Sequence, residues 1–268
     1  DDGCVDGRAN GVMKRCLFTY GGKHHIVYVS GVLEDCVCSL YDPTWPNSPS
    51  PYPAYSQNDP AGQSATIRRC FGVEAMSFLS HSGSGEYAGN YVEESIVGGV
   101  SFGAHDNRVI RSVVYSASGG GIASNLPGAT LLVQHSMLKQ FAGSAISVGQ
   151  VAGNPAVSVT VDQVACYVDI ASIGSRFFIN GGPNCPLDVK QSIFSNRATG
   201  STGYAIKTGS TLKLNRSVIV LSAIYQYIDC ASFEGDNNIY VLVGSNNYFF
   251  KVGSSTFANN FSAWKAAT

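Results

Sequence analysis

A six-residue pattern of hydrophobic and polar positions recurs along the chain. It consists of an aliphatic residue, any residue, Arg/His/Gln, Ser, any residue and a second aliphatic residue, and its clearest copies are VIRSVV at 109–114, VQHSML at 133–138, VKQSIF at 189–194 and LNRSVI at 214–219. Weaker copies begin at Ile67 and Val161, and a further strand is expected near Ile239. From Val109 onward the steps are 24, 28, 28, 25 and 25 residues. A unit of about 25 residues therefore repeats.

A second apolar stretch follows each copy after 13 to 18 residues, and its markers are Ile122, Ile146, Ile179, Ile206 and Ile228. Gly or Asn usually separates the two stretches, so each unit contains at least two short strands joined by turns. Such a unit cannot bury its own apolar face. Stacked units bury a continuous core, which predicts a coil of parallel strands.

The spacing inside the six-residue pattern predicts a corner. Strict strand alternation would turn positions 1, 3 and 5 inward, whereas positions 1, 4 and 6 are the small or aliphatic ones. A corner at position 3 explains the extra residue and makes a polar ladder of Arg69, Arg111, His135, Gln163, Gln191 and Arg216. The residues expected to point inward are Val133, Ser136, Leu138, Val161, Val164, Val189, Phe194, Leu214 and Ile219.

The coil, with GGGIAS and GSAISV after VIRSVV and VQHSML, resembles the right-handed parallel β-helix of the pectin-lyase-like superfamily between about residues 95 and 250. The closing NNFSAWKAAT is similar to the aromatic tail of bacterial surface β-helix proteins. The resemblance implies an all-β, single-stranded right-handed parallel β-helix of about six to eight coils of roughly 25 residues. Lyases, hydrolases, epimerases, phage tailspikes and non-catalytic surface proteins share this architecture, so the resemblance alone defines no function.

We expect an N-terminal cap over 1–25, the β-helix over 26–250 and a C-terminal capping segment over 251–268. Two insertions interrupt the coil, at 41–60 and 80–95. No apolar run approaches the roughly 18 residues of a membrane span. The opening DDGCVDGRANG lacks a basic region followed by an apolar one, so we expect no signal peptide.

Cysteine usage suggests an oxidising compartment. The eight cysteines stand at positions 4, 16, 36, 38, 70, 166, 185 and 230. No CxxC is present, and the CVC at 36–38 lacks the spacing of a zinc or haem site. We expect two or three disulfides that staple an irregular N-terminal region, first of all Cys4 with Cys16 and Cys70 with Cys36 or Cys38.

Cys166 stands at an aliphatic position of the repeat. It is expected either as a buried thiol or as the disulfide partner of Cys185. The cysteines and the resemblance together favour an extracellular or cell-surface location.

The charge of the chain excludes one class of partner. Charged residues make up 13% of the sequence and the formal net charge is −1, so the basic footprint of a nucleic-acid-binding protein is missing. No residue pattern indicates a metal site or a cofactor, and we expect neither. SGGGI at 118–122 opens a strand and not a helix, so it does not form a phosphate-binding loop.

The two insertions supply most of the aromatic residues expected outside the core. A rigid aromatic rim beside arginines of the early coils would hold an acidic sugar chain by stacking and by paired hydrogen bonds. The expected ligand-binding residues are Trp45, Tyr52, Tyr55, Arg69, Glu86, Tyr87 and Arg111. The alternative is that the proline-rich loop only covers the side of the helix and that the arginines form a solvated edge.

Catalysis is the second hypothesis. The uronate lyases and epimerases with this fold need a base and a cation that stabilises an enolate-like charge. The candidates are Arg111, His135 and Lys190, although the calcium-binding aspartates of pectate lyases, the paired Asp and Gly-His-Gly of polygalacturonases and the DPHD of alginate epimerases are all missing.

Two classes of function remain. The first is a non-catalytic extracellular or cell-surface module that contacts glycans or assembles with like subunits. The alternative is a polysaccharide lyase or related carbohydrate-active enzyme that acts on an acidic polysaccharide. The missing catalytic motifs favour the first class, and whether the chain is an enzyme stays open at this point.

Overall fold

The fold is an all-β parallel β-solenoid. The computed structural model describes residues 5–19, 27–39, 55–56, 64–72, 76–78, 87–115, 120–139, 143–148, 155–168, 176–196, 203–221, 225–243, 248–258 and 260–267. These residues confirm the predicted fold class.

The strands of the first part of the chain are β1 (Val5–Lys14), β2 (Leu17–Thr19), β3 (Val27–Glu34), β4 (Val37–Ser39), β5 (Tyr55–Ser56), β6 (Ser64–Arg68), β7 (Phe71–Gly72), β8 (Met76–Phe78), β9 (Tyr87–Glu93) and β10 (Ile96–Val97). The middle part contains β11 (Val100–Phe102), β12 (Ala104–Ile110), β13 (Val113–Tyr115), β14 (Ile122–Ser124), β15 (Thr130–Gln134), β16 (Met137–Lys139), β17 (Ile146–Val148), β18 (Ser158–Asp162), β19 (Ala165–Val168) and β20 (Arg176–Asn180). The last part contains β21 (Leu187–Lys190), β22 (Ile193–Asn196), β23 (Gly203–Lys207), β24 (Thr211–Asn215), β25 (Val218–Leu221), β26 (Tyr225–Cys230), β27 (Ser232–Asp236), β28 (Ile239–Leu242), β29 (Tyr248–Val252), β30 (Ser255–Ala258) and the helix α1 (Phe261–Ala267).

The strands stack in three columns, which we call faces. The first face consists of β1, β3, β6, β9, β12, β15, β18, β21, β24 and β27, and the second face of β2, β4, β7, β10, β13, β16, β19, β22, β25 and β28. The third face consists of β5, β8, β11, β14, β17, β20, β23, β26 and β29. The second face alone stacks ten described strands, so the number of coils differs from the six to eight expected.

The hydrophobic columns predicted from the repeat are confirmed. Neighbouring strands of the third face place the markers Ile122, Ile146, Ile179, Ile206 and Ile228 directly above one another, and all five are buried. On the first face, Val133, Val161, Val189 and Leu214 form one buried column. Strands of neighbouring coils therefore keep one register along the solenoid, which fills its interior with aliphatic side chains.

A corner joins the first face to the second face in each described coil, and the residue at this corner has a left-handed backbone conformation, with positive φ. The corner residues, with φ between 48° and 57°, are Arg15, Asp35, Arg69, Glu94, Arg111, His135, Gln163, Gln191, Arg216 and Asn237, and we call them the corner column. Position 3 of the repeat is thus the corner, as its spacing predicts. Four members, Arg15, Asp35, Glu94 and Asn237, extend this column beyond the copies found in the sequence.

The residue after each corner points inward, and in every described coil except that of Val164 it has a polar side chain or thiol that can link two coils. We call this set the inner column: Cys16, Cys36, Cys70, Ser95, Ser112, Ser136, Val164, Ser192, Ser217 and Asn238. Ser112 is typical, because its hydroxyl donates to Ile110 O (2.8 Å) and accepts from the backbone N–H of Ser95 in the preceding coil (3.1 Å). A small side chain that can both donate and accept is favoured here, because the corner turns a backbone N–H into the interior. Val164 is the one apolar member of the inner column.

The predicted N-terminal disulfides are not present among the described thiols. Cys16, Cys36 and Cys70 are free and belong to the inner column. The Cys36 thiol accepts from the Cys16 N–H (3.4 Å) and donates to Glu34 O (3.2 Å), so it makes the same two hydrogen bonds as the serine hydroxyl in other coils. This role corrects the predicted pairs of Cys4 with Cys16 and of Cys70 with Cys36 or Cys38. The side chains at 4 and 38 lie outside the described ones.

Residues 5–19, expected within an N-terminal cap, form β1 and β2, which pair in parallel with β3 and β4. The predicted insertion at 80–95 is shorter than expected because residues 87–95 form β9 and the following corner. Cys166 is a free buried thiol, which confirms the first of its two alternatives and excludes the pair with Cys185.

The last described coil is covered by aromatic side chains. β30 runs antiparallel to β29, and α1 follows it, with the Ala263 N–H donating to the side-chain oxygen of Asn260 (2.9 Å). Trp264 is buried and stacks on Phe250, with ring centroids 4.1 Å apart, and Phe233 and Tyr240 also contact it. The apolar interior of the solenoid therefore ends in a closely packed aromatic cluster.

The inner-column hydroxyl should contribute substantially to the free energy of unfolding, although the group is small. Ser136→Ala leaves the interior N–H of Ser112, now 3.2 Å from Ser136 Oγ, without its acceptor, and should lower the free energy of unfolding by about 1–3 kcal/mol. Ser136→Cys should lose less, because the chain itself uses thiols at this position. Urea denaturation measures both changes, with Ser195→Ala on the same sheet but facing outward as control. Equal stability of parent and Ser136→Ala would contradict the role of the hydroxyl.

The corner geometry makes a second prediction. His135 is exposed with φ 49°, a conformation that asparagine tolerates and that β-branched residues avoid. His135→Val should destabilise the protein by about 1–2 kcal/mol, whereas His135→Asn should be neutral or slightly stabilising. Ser158→Val, at the exposed first position of β18 on the first face, is the matched control and should change little. If both valine variants unfold at the same urea concentration as the parent, the corner carries no strain.

Candidate functional site

The corner column and the second face beside it form the candidate functional site, because they contain the predicted cations and the most regular exposed surface. Charges alternate along its first five coils: Lys14 and Arg15, then Glu34 and Asp35, Arg68 and Arg69, Glu93 and Glu94, and Arg111. Stacked residues of neighbouring parallel strands lie about 4.8 Å apart. Alternating signs at this distance attract, and a shifted register would bring like charges together.

Arg69 is bound on two sides by carboxylates of the preceding coil. Its guanidinium donates to Asp35 through Nε (2.6 Å) and to Glu34 through Nη2. Hydrogen bonds from Lys14 and Arg69 hold the pKa of Glu34 below its ordinary value, and Arg69 does the same for Asp35. The donors that sequence reasoning assigned to a uronate are thus engaged within the chain.

The neighbouring cations are engaged in the same way. Arg68 Nε donates to Glu93 Oε2 (3.0 Å). Both Nε and Nη2 of Arg111 donate to Glu94 Oε1, at 3.1 and 2.7 Å. The Arg111–Glu94 pair is exposed and the Arg68–Glu93 pair partly exposed, so each adds little stability, but they fix where the guanidinium groups point.

The catalytic candidates are only partly brought together. Arg111 and His135 are consecutive members of the corner column, and the Arg111 N–H donates to the carbonyl oxygen of Gln134. Lys190 stands two coils further along, before the corner, with its Nζ 4.0 Å from Asp188. The arrangement therefore offers one imidazole beside a guanidinium that already binds a carboxylate.

The predicted aromatic groove is not assembled in the described residues. Trp45, Tyr52 and Glu86 lie outside them, and only the backbone is described at Tyr55 and Tyr87. Tyr87 begins β9, at the end of the first face away from the corner. Seven residues at about 3.3 Å each separate it from the corner at Glu94, roughly 23 Å. The structure thus places Tyr87 far from the two arginines.

The second face carries a feature that sequence reasoning missed. The first residue of each of its strands points outward, in register with its neighbours, and all ten are apolar: Leu17, Val37, Phe71, Ile96, Val113, Met137, Ala165, Ile193, Val218 and Ile239. We call this row the apolar stripe. Seven of its members are at least 40% exposed. The signal was in the sequence: position 5 of the repeat, taken as unrestricted, is apolar in every copy.

A second outward row runs beside the apolar stripe. In the middle coils it stacks Tyr115, Lys139 and Tyr167, all half-buried, with lysine between the two tyrosines. Aromatic and methionine side chains of this kind are enriched where protein surfaces meet. The second face thus offers a flat and mostly apolar surface, with the paired charges along one border.

The described residues contain no group of three His, Cys, Asp or Glu side chains that could hold a metal ion. No helix in the part of the chain that the structure describes is long and apolar enough to cross a bilayer.

Comparisons with known proteins add no relative. No protein-family model matches the chain, and neither a curated protein nor a solved structure gives a significant match. The class of this protein is therefore defined by its parallel β-solenoid fold.

Buried thiols predict how stability depends on pH. Burial raises the pKa of Cys185 and Cys230 to about 12 and also raises the pKa of Cys166. In the unfolded chain a thiol has a pKa of about 8.5, so above that pH the unfolded state loses protons that the folded state keeps. The free energy of unfolding should be level below about pH 8 and then fall by up to about 1.4 kcal/mol per pH unit for each such thiol.

Urea denaturation between pH 7 and pH 10 measures this slope. Cys185→Ala should be less stable than the parent at pH 7 because of the cavity, yet its stability should fall less steeply with pH. Parallel curves for the parent and Cys185→Ala would mean that this thiol ionises equally easily in both states.

Proposed function

We propose that the chain is a non-catalytic β-solenoid module of an extracellular or cell-surface protein, which contacts glycans or like subunits through its long repeating surface. The observation that carries the proposal is the contrast between the two parts of the candidate site. Asp35, Arg69, Glu94 and Arg111 of the corner column are paired within the chain, whereas seven of the ten residues of the apolar stripe are at least 40% exposed. A continuous exposed apolar surface is typical of an interaction site.

The ion pairs also weigh against the enzymatic alternative. An enolate-like intermediate needs a cation that is free to meet it. Arg111, the cation beside His135, directs two of its donors at Glu94. The adjacency of Arg111 and His135 is the observation that favours the alternative, a lyase or related enzyme that acts on an acidic polysaccharide.

The proposed location of the protein and its proposed superfamily are supported only by the sequence resemblance. The free thiols of Cys16, Cys36 and Cys70 do not add support for an oxidising compartment. The proposed surface location and the relation to pectin-lyase-like proteins therefore rest on the coil pattern and the aromatic C-terminal segment.

Incubation with a panel of acidic polysaccharides tests the proposal. We expect no unsaturated or shortened uronate product, measured by ultraviolet absorbance and by chromatography of the reaction mixture. Product that disappears in Arg111→Ala and His135→Ala, but persists in the corner control Arg216→Ala, would overturn the non-catalytic role in favour of the lyase.

The same panel measures glycan binding by calorimetry. For a glycan partner the expected contacts remain those predicted from sequence, so Trp45→Ala and Arg111→Ala should each weaken binding about tenfold or more, as loss of a stacking or charged contact does. Arg216→Ala is again the control. Unchanged affinity in Trp45→Ala and Arg111→Ala, or no binding by the parent, would leave like subunits as the partner.

A further inference from the structure

We infer that the apolar stripe is a self-association surface, on which the second face of another copy of this chain packs face to face. The inference rests on the proposed non-catalytic role and names the partner. Along the stripe the exposed fraction ranges from 40% at Met137 to 69% at Leu17 among its seven most exposed members. No other outward row of the described strands is apolar in every coil.

The dimensions of the surface fit a stable dimer. Nine steps of about 4.8 Å give a stripe roughly 43 Å long. From the corner to the second outward row is four residue steps, about 13 Å, so the surface covers roughly 560 Å². Two such faces bury roughly 1,100 Å² in total, above the roughly 1,000 Å² that a biological interface should clear.

The spacing of the stripe favours a partner of the same construction. Its side chains recur at the distance between parallel strands, so they interdigitate along the whole length only with a row of equal pitch. A second copy supplies such a row, and two identical faces related by a two-fold axis make a self-complementary contact. Stacked sheets pack about 10 Å apart, which leaves room for side chains such as Phe71, Met137 and Ile193 to fill the space between them.

The composition of the surface agrees with a protein partner. The residues of the apolar stripe are aliphatic or aromatic, and small polar residues occur only in the second outward row. Among the described strands, Lys139 is the single cation in that second row. A glycan would instead be expected on aromatic and hydrogen-bonding groups. A long side chain such as Lys139 can lay its stem on the apolar surface and keep its ammonium in water.

Sedimentation velocity of the purified chain, over protein concentrations up to about 100 µM, tests the inference. The parent should sediment as a dimer. Met137→Lys combined with Ile193→Lys should weaken association at least about 100-fold, because it places unpaired charges inside the contact. Both side chains are partly exposed in the monomer, so the variant should fold, which circular dichroism checks.

Two further variants serve as controls. Ser158→Lys combined with Ser232→Lys adds the same charge at exposed positions of the first face and should leave the dimer intact. Met137→Leu combined with Ile193→Val keeps the stripe apolar and should also remain dimeric.

A parent that stays monomeric overturns the inference, as does a dimer that the Met137→Lys/Ile193→Lys variant leaves unchanged. A monomer whose glycan binding is lost in that variant would assign the stripe to glycan and equally overturns it. None of these results touches the proposed non-catalytic role, which only a uronate product would remove. Conversely, a dimer that forms uronate product would keep the inference and overturn the role.

Discussion

The fold depends on how an interior backbone N–H is satisfied at the corner of nearly every coil. The left-handed corner keeps the strands of neighbouring coils in register, but it also turns a backbone N–H toward the apolar interior. A hydroxyl or thiol of the inner column accepts from that group and donates to a carbonyl two residues earlier, as Ser95 and Cys36 both do. An unsatisfied N–H in this place would cost about 1–3 kcal/mol per coil, so a small polar residue follows nine of the ten described corners, and Val164 is the exception.

The corner side chains then decide what the surface can do. They project from the stack at intervals of about 4.8 Å, where like charges repel and opposite charges pair. In the first coils the chain alternates the signs, and the arginines that a ligand would need are bound by Asp35 and Glu94 instead. The charges of the first coils therefore pair with one another across neighbouring coils, and the second face beside them is mostly apolar.

The regular part of this architecture could be predicted from the sequence, because aliphatic residues at constant steps have no other way to be buried. The missed coils differ in two ways: MKRCLF, LEDCVC and VEESIV replace serine by cysteine or the basic corner residue by an acidic one, and their steps of 20, 34, 25 and 17 residues are uneven. Cysteines at such positions resemble a disulfide framework until the hydrogen bonds of Cys36 are known. The ion pairs of Arg69 with Asp35 and of Arg111 with Glu94 could not be predicted, because they depend on which residues of distant coils stack on one another. The apolar stripe could not be recognised either, because the sequence alone does not show that position 5 of the repeat faces outward.

The aromatic cluster at the C-terminal end gives the stack a direction. Parallel strands with open backbone groups are templates on which further strands, including those of other molecules, can add as in amyloid. Here β30 pairs with β29 in the antiparallel direction, and the indole ring of Trp264 stacks on the ring of Phe250. A strand from another molecule cannot add in parallel to β29, because β30 already occupies the free edge of that strand. On the third face this end of the stack is thus protected against the addition of parallel strands from another molecule, the step by which cross-β fibres grow.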